Sequence, residues 1–127
     1  MDLTPLVPQG RQIVESYGDG RFRVTGTVHT GSVLVFPSRT TAWPMPDVGG
    51  LSVESLAAVV AAGEAGEIDL LLIGCGARMA MIPTALRATL RAKGVVIEPM
   101  DTGAACRTYN VLAAEGRKVA AALIAVD

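Results

Sequence analysis

The chain has 127 residues, half of them hydrophobic, with 11 basic and 12 acidic side chains and a net charge of -1. That length suits a single domain, residues 1–127, built around one core. The near balance of charge excludes a duplex-binding surface, which needs a concentrated positive field, and an aromatic content of 4% is too small for a base-stacking platform, so no nucleic-acid partner is expected. The longest apolar runs, residues 56–62 and 119–126, fall far short of the ~20 residues that span a bilayer. Stable membrane insertion is therefore not expected, and the apolar excess belongs to a core or to a buried contact with a partner. The opening Met1-Asp2-Leu3-Thr4-Pro5 has no signal-peptide pattern. Cys75 and Cys106 sit in no CxxC spacing and His29 is the only histidine, so a metal site is not expected. The expectation is a reducing, cytoplasmic setting with no cofactor.

In chain order, residues 12–17 read as a first strand, and Gly18-Asp19-Gly20 as a turn that tolerates positive φ. Residues 21–25 alternate and supply the hairpin partner, with Phe22 and Val24 on one face, and Val28 extends that strand past a bulge at Gly26. Residues 33–36 are an apolar run suited to a strand covered on both sides, ended by Pro37, and residues 40–43 form a short further strand. After a Pro/Gly loop, Ser52 is a helix N-cap, with Leu51 and Leu56 at the staple positions and Leu56, Val59 and Val60 as the buried stripe, ending at Gly63 or Gly66. Residues 70–73 lack alternation and read as a central strand. Pro83 opens a helix at N1, with Ile82, Leu86 and Leu90 facing inward and Gly94 as its stop. Arg87, Arg91 and Lys93 cluster near the end of that helix, where they favour its dipole. Residues 95–97 form a strand, Asp101 or Thr102 caps a last helix running to about Glu115, and residues 119–126 form the final strand. The strand–helix alternation of the second half predicts an α/β fold with a mixed, mostly parallel sheet, to which the β-rich front adds antiparallel strands or lies over one face.

Ligand crevices in such folds open at the carboxyl ends of the strands. Two segments should meet there, Gly74-Cys75-Gly76 after one strand and Met100-Asp101-Thr102 after the next. Amide groups at helix starts favour anions, but the glycine pair lacks the third glycine of a dinucleotide fingerprint, and a tight turn with close packing explains it as well. On the last helix, Cys106, Tyr109, Asn110 and Ala113 share a face, with Arg107, Val111 and Glu115 opposite. Tyr109 and Asn110 either tie the helix to nearby backbone or line a pocket. Cys106 is a small buried hydrophobe or a thiolate favoured by the helix start, without a local base. Arg107 holds a carboxylate or phosphate, or pairs with Glu98 or Glu115. Trp43, in Trp43-Pro44-Met45-Pro46, is a core anchor or an exposed protein contact.

The run Thr102-Gly103-Ala104-Ala105-Cys106-Arg107-Thr108-Tyr109-Asn110-Val111-Leu112, followed by Glu115-Gly116-Arg117-Lys118-Val119, resembles a small family of unknown function whose members include mitochondrial complex I (NADH dehydrogenase) assembly factor 3 and a methanogen protein. Residues 13–20, Gly31-Ser32-Val33-Leu34-Val35 before Trp43, and Leu71-Leu72-Ile73-Gly74-Cys75-Gly76 extend the resemblance over almost the whole chain. It implies a three-layer α/β fold and a non-catalytic assembly or scaffolding role through protein partners. It implies no catalytic residues, so none is assigned. The resulting interaction or ligand set is Trp43, Gly74, Cys75, Gly76, Met100, Thr102, Cys106, Arg107, Tyr109 and Asn110. The alternative function is a small anionic-ligand binder, or an enzyme, using the sheet edge at residues 74–76 and 100–110. The front β segment offers an edge compatible with a homodimer.

Overall fold

Residues 10–127 are the part of the chain that the computed structural model describes, so the leader reading of residues 1–5 lies outside them. They open with three antiparallel strands, β1 (Val14–Gly18), β2 (Arg21–Val24) and β3 (Thr27–Thr30), which form a sheet of their own in the order β1-β2-β3. Asp19 and Gly20 turn β1 into β2 with φ of 52° and 71°, and Thr25 and Gly26 turn β2 into β3 with φ of 44° and 83°. Two successive positive-φ residues are what a two-residue hairpin turn demands. The chain therefore reverses at Gly26 instead of bulging, and Val28 lies on a separate strand, opposite Arg23.

The larger sheet contains β4 (Val33–Val35), β5 (Thr40–Ala42), β6 (Leu70–Gly74), β7 (Val96–Met100) and β8 (Val119–Leu123), in the order β5-β4-β8-β6-β7. The β6–β7 and β6–β8 pairings are parallel, and β4 runs antiparallel to both β8 and β5. The front of the chain thus does both things expected of it: it extends the main sheet and also covers one of its faces. Strand β7 continues through Glu98, Pro99 and Met100, which sequence alone reads as loop. It is the outermost strand, so the N–H that Pro99 lacks has no neighbour to miss on the open side.

Three helices complete the layers: α1 (Ala57–Glu64), α2 (Thr84–Ala92) and α3 (Thr102–Ala114). Ser52 does not cap the first of these, whose N-cap position is Leu56 without a side-chain bond; Ser52 Oγ instead accepts from the Ser55 N–H at 3.0 Å, while Ser55 Oγ accepts from the Ser52 N–H at 2.9 Å, in the turn before the helix. A 3-10 turn over Glu54–Leu56 intervenes before the α-helix proper. Pro83 sits one position before α2, at its N-cap. No helix of the described residues is long and apolar enough to cross a membrane.

The main sheet separates two cores. One, on the α1 and α2 side, collects Leu56, Leu71, Ile73, Leu90 and Ile97; the other, on the side of α3 and the small sheet, collects Phe22, Val33, Val35, Leu72 and Tyr109. Strand β8 runs through the middle and alternates between them, Ala120 and Ala122 to the first and Val119, Ala121 and Leu123 to the second. Its alanines are small where α3 packs with its own buried Ala105 and Ala113. Ala121 lies in register between Val35 and Leu72. An Ala121→Leu substitution adds bulk to a filled layer and is expected to cost about 1–3 kcal/mol. Urea unfolding checks this, and a midpoint equal to that of the unsubstituted chain would show the layer to be slack.

Candidate functional site

The glycine turn after β6 and the start of α3 meet at the carboxyl edge of the main sheet, as expected, but they meet by filling it. A Cβ on Gly74 would lie 2.9 Å from the Thr102 Cα and 3.0 Å from its Oγ1, so glycine is what lets the helix begin against the strand. Thr102 is fully buried. Its hydroxyl donates to the Ile124 carbonyl at 2.8 Å and accepts from the Gly76 N–H at 3.0 Å, and its own N–H donates to the Gly76 carbonyl at 2.8 Å. The Cys75 N–H donates to the Met100 carbonyl at 2.8 Å. Asp101 caps α3 by accepting from the Ala104 N–H at 2.9 Å. The amides that would have cradled an anion at this turn are already bonded to the protein itself.

The inward face of α3 is committed in the same way. Tyr109 is fully buried and its hydroxyl donates to the Gln12 carbonyl at 2.9 Å. The Asn110 side chain accepts from the Val14 N–H at 2.9 Å and donates to the Val14 carbonyl at 2.7 Å. A side-chain amide thereby offers β1 the donor and acceptor that a neighbouring strand would offer. Among the described residues no buried side-chain nitrogen or oxygen lacks a partner. Cys106 is buried beside them, and burial pushes its thiol up from 9.0 to about 12, outweighing the Arg107 charge that pulls the other way. A thiol held neutral in this manner is a packing group and a poor nucleophile.

The remaining residues of the expected set separate. Trp43 is a core anchor, not an exposed contact: it is 3% exposed, and its indole N–H donates to the Ser55 carbonyl at 2.8 Å. Cys75 belongs to the core under α1 and α2, while Cys106 belongs to the opposite one, so the sheet lies between the two thiols and both are free. Met100 is half-buried, and Arg107 is exposed. Arg107 pairs with neither Glu98 nor Glu115; the ion pairs among the described residues are Arg23–Glu15, Arg39–Glu67 and Lys93–Glu64. Those residues hold no group of three or more His, Cys, Asp or Glu side chains able to bind a metal.

Sequence reasoning missed four residues at this edge. Met79 and Met81, on the loop between β6 and α2, are 58% and 87% exposed. Tyr17, at the end of β1, lies over Gly103 in the first turn of α3, where a Cβ would strike its hydroxyl. Only the unusual pair of methionines in Arg78-Met79-Ala80-Met81 was available as a signal, because Tyr17 and Gly103 meet solely through the fold.

Residues 14–124 match the family described as protein of unknown function, DUF498/DUF598. The chain belongs to this family. Its relatives include an uncharacterised protein of Rhodobacter capsulatus, 43% identical over 111 residues that make up 87% of this chain and 82% of the relative. They also include the Danio rerio NADH dehydrogenase [ubiquinone] 1 alpha subcomplex assembly factor 3, 32% identical over 88% of this chain. The match spans 63% of that factor's length. Among solved structures, an outer membrane protein from Bartonella henselae superposes with a TM-score of 0.85 at 38% identity, covering 93% of this chain and 98% of the other.

In this DUF498 member, α3 is the element on which the small sheet is seated, and that has measurable consequences. Asn110→Ala removes both partners of the Val14 backbone and is expected to cost about 1–3 kcal/mol. Hydrogen exchange checks this, with the Val14 amide predicted to lose protection well beyond the global loss. The buried thiol and phenol also set a pH limit. Cys106 has its ordinary value at 9.0 and Tyr109 at 10.0, and burial raises both to about 12. Between those values the unfolded chain has released protons that the folded chain retains, so stability falls as pH rises, by up to about 1.4 kcal/mol per pH unit for each group. Unfolding midpoints measured at roughly pH 8 and roughly pH 10.5 should diverge, and Cys106→Ala should shrink the difference.

Proposed function

We propose that this domain is a non-catalytic assembly or scaffolding factor that works through protein contacts, in the cytoplasm, with the carboxyl edge of its main sheet as the contact face. One observation carries the reading: the polar groups at that edge are bonded to the domain's own backbone, while Met79 and Met81 project from it into solvent. Methionine is unbranched and polarisable, and it adapts to apolar surfaces of varied shape. The names of the vertebrate relatives, complex I assembly factors, support the same reading. The proposed contacting residues are Met79 and Met81 on the loop leading to α2, and separately the exposed Arg107 on α3. Trp43, Cys75, Thr102, Cys106 and Tyr109 shape the face from within. A homodimer is the simplest further assembly, through the open edge of β3, where Val28 is 57% exposed.

The rival reading, an enzyme or small-anion binder at residues 74–76, has lost the Cys75, Gly76 and Thr102 amides to bonds within the chain and keeps the exposed Arg78 beside the cleft there. The test is made in cells of the source organism that lack this protein. The expected result is a reduced amount of assembled NADH dehydrogenase on native gels, restored by the intact chain and not by Met79→Glu with Met81→Glu. Both methionines are exposed, so the double variant should fold. Unchanged complex in the deletion strain, or full rescue by the double variant, would overturn the proposal.

A further inference from the structure

Between the free edge of β1 and α3 runs an open trough of about 480 Å³, with Glu15, Ser16 and Tyr17 on the strand side and Cys106, Arg107 and Asn110 on the helix side. Asn110 is already bonded to Val14, and Cys106 is a neutral, buried floor. Glu15 is held by Arg23 at 3.3 Å and accepts from the Gly26 N–H at 2.6 Å. Arg107 has no carboxylate partner among the described residues. Its Nη1 and the Tyr17 hydroxyl reach over the same backbone position, Gly103: a Cβ there would strike the hydroxyl and lie 3.3 Å from the guanidinium nitrogen. Glycine at this point keeps the phenol and the guanidinium together.

We propose that this trough docks an extended segment of a partner protein bearing a single acidic side chain, its carboxylate held by Arg107 and the Tyr17 hydroxyl. A guanidinium offers two parallel N–H donors that match the two oxygens of a carboxylate, and the phenol supplies a third donor beside it. Tyrosine and arginine are the residue types that concentrate binding energy at protein interfaces. The site provides one uncompensated positive charge, and a second carboxylate, Glu15, lies on the opposite wall. That balance suits a monoanion and disfavours a phosphate dianion. An open trough beside a strand edge also fits a passing chain better than an enclosed small molecule. The inference rests on the contact-making role proposed above for the nature of its occupant.

The test is a titration of the labelled full chain, followed through its amide resonances, with a capped valine-rich peptide that carries one glutamate. The matching valine–glutamine peptide, succinate and inorganic phosphate are the comparison probes. The expected result is a saturable shift of the Ser16, Tyr17, Gly103 and Arg107 amides by the acidic peptide. Affinity should drop about tenfold or more for the glutamine peptide and for Arg107→Gln. Gly103→Ala, which leaves every charge in place but displaces the phenol, should also weaken binding. Three results would overturn the proposal: no shift up to about 10 mM peptide, equal binding by Arg107→Gln or by the glutamine peptide, or succinate or phosphate moving the same amides at equal or lower concentration. Such a failure would leave the assembly experiment standing, because that experiment reads Met79 and Met81.

Discussion

A single buried hydroxyl fixes where the last helix sits. The Thr102 side chain has no access to water, so both of its hydrogen-bonding roles must be met by the protein. It meets them across three segments, donating to the backbone after β8 and accepting from the turn after β6 while its own N–H donates to that turn. Gly74 makes the approach sterically allowed, and Asp101 caps the helix that results. Everything mounted on α3 inherits this position. The small sheet hangs on Tyr109 and Asn110, and the trough beside β1 has its width set by where the helix lies. Valine at position 102 would keep the shape and orphan the Gly76 N–H and the Ile124 carbonyl, which shows why packing volume alone does not specify the junction.

The division into two cores explains why the chain is so rich in alanine and valine yet folds without a large aromatic complement. Each face of the main sheet has to be covered, one by α1 and α2 and the other by α3 with the small sheet. Strand β8, central and covered on both sides, buries every residue from Val119 to Leu123. With alanine at its three middle positions, neither layer is held away from the sheet by bulk. The same geometry keeps the two cysteines apart. Their sequence positions suggest a shared edge, but a strand's side chains alternate between faces, and the thiols end in different cores.

Much of this architecture is legible in the chain because it follows from local rules. The stripe of Ile82, Leu86 and Leu90, the stop at Gly94, the cap at Asp101 and the unalternating run at residues 70–73 each report a periodicity or a backbone requirement. What was not legible depended on neighbours. Pro99 reads as a strand breaker until β7 is known to lie at the edge of the sheet. Thr25-Gly26 reads as a bulge until Val28 is seen paired with Arg23. The polar cluster on α3 was visible as a cluster, and its composition stood out from the alanine around it. Its meaning was hidden, because the atoms that satisfy Tyr109 and Asn110 lie 97 and 96 residues away, just before the opening strand and at its first residue. Trp43 is the same case: beside Pro44 it reads equally as a core anchor or an exposed contact, and its partner Ser55 comes from a separate turn.

These facts bear on how a domain with a ligand-binding kind of fold could serve the contact role proposed above. The carboxyl edge of an α/β sheet is where loops must cross, and in many proteins its free amides meet substrate. Here the Cys75, Gly76 and Thr102 amides are bonded within the chain, beside an open cleft of about 400 Å³ that residues 75–77 and 124–127 help to line. Backbone tied in this way suits a binding surface, because little ordering entropy remains to be lost on association. Besides the exposed Arg78, two kinds of group matter to the proposed contact role: methionines that conform to an apolar partner, and a guanidinium held beside a phenol. The first kind supplies adaptable area, and the second supplies orientation through charge and directional hydrogen bonds. Neither kind performs acid–base or nucleophilic chemistry at neutral pH, because arginine stays protonated and thioethers do not titrate. Of the two thiols, both buried, Cys106 is held by that burial in its unreactive form. This distribution of groups is the physical ground for the proposed contact role.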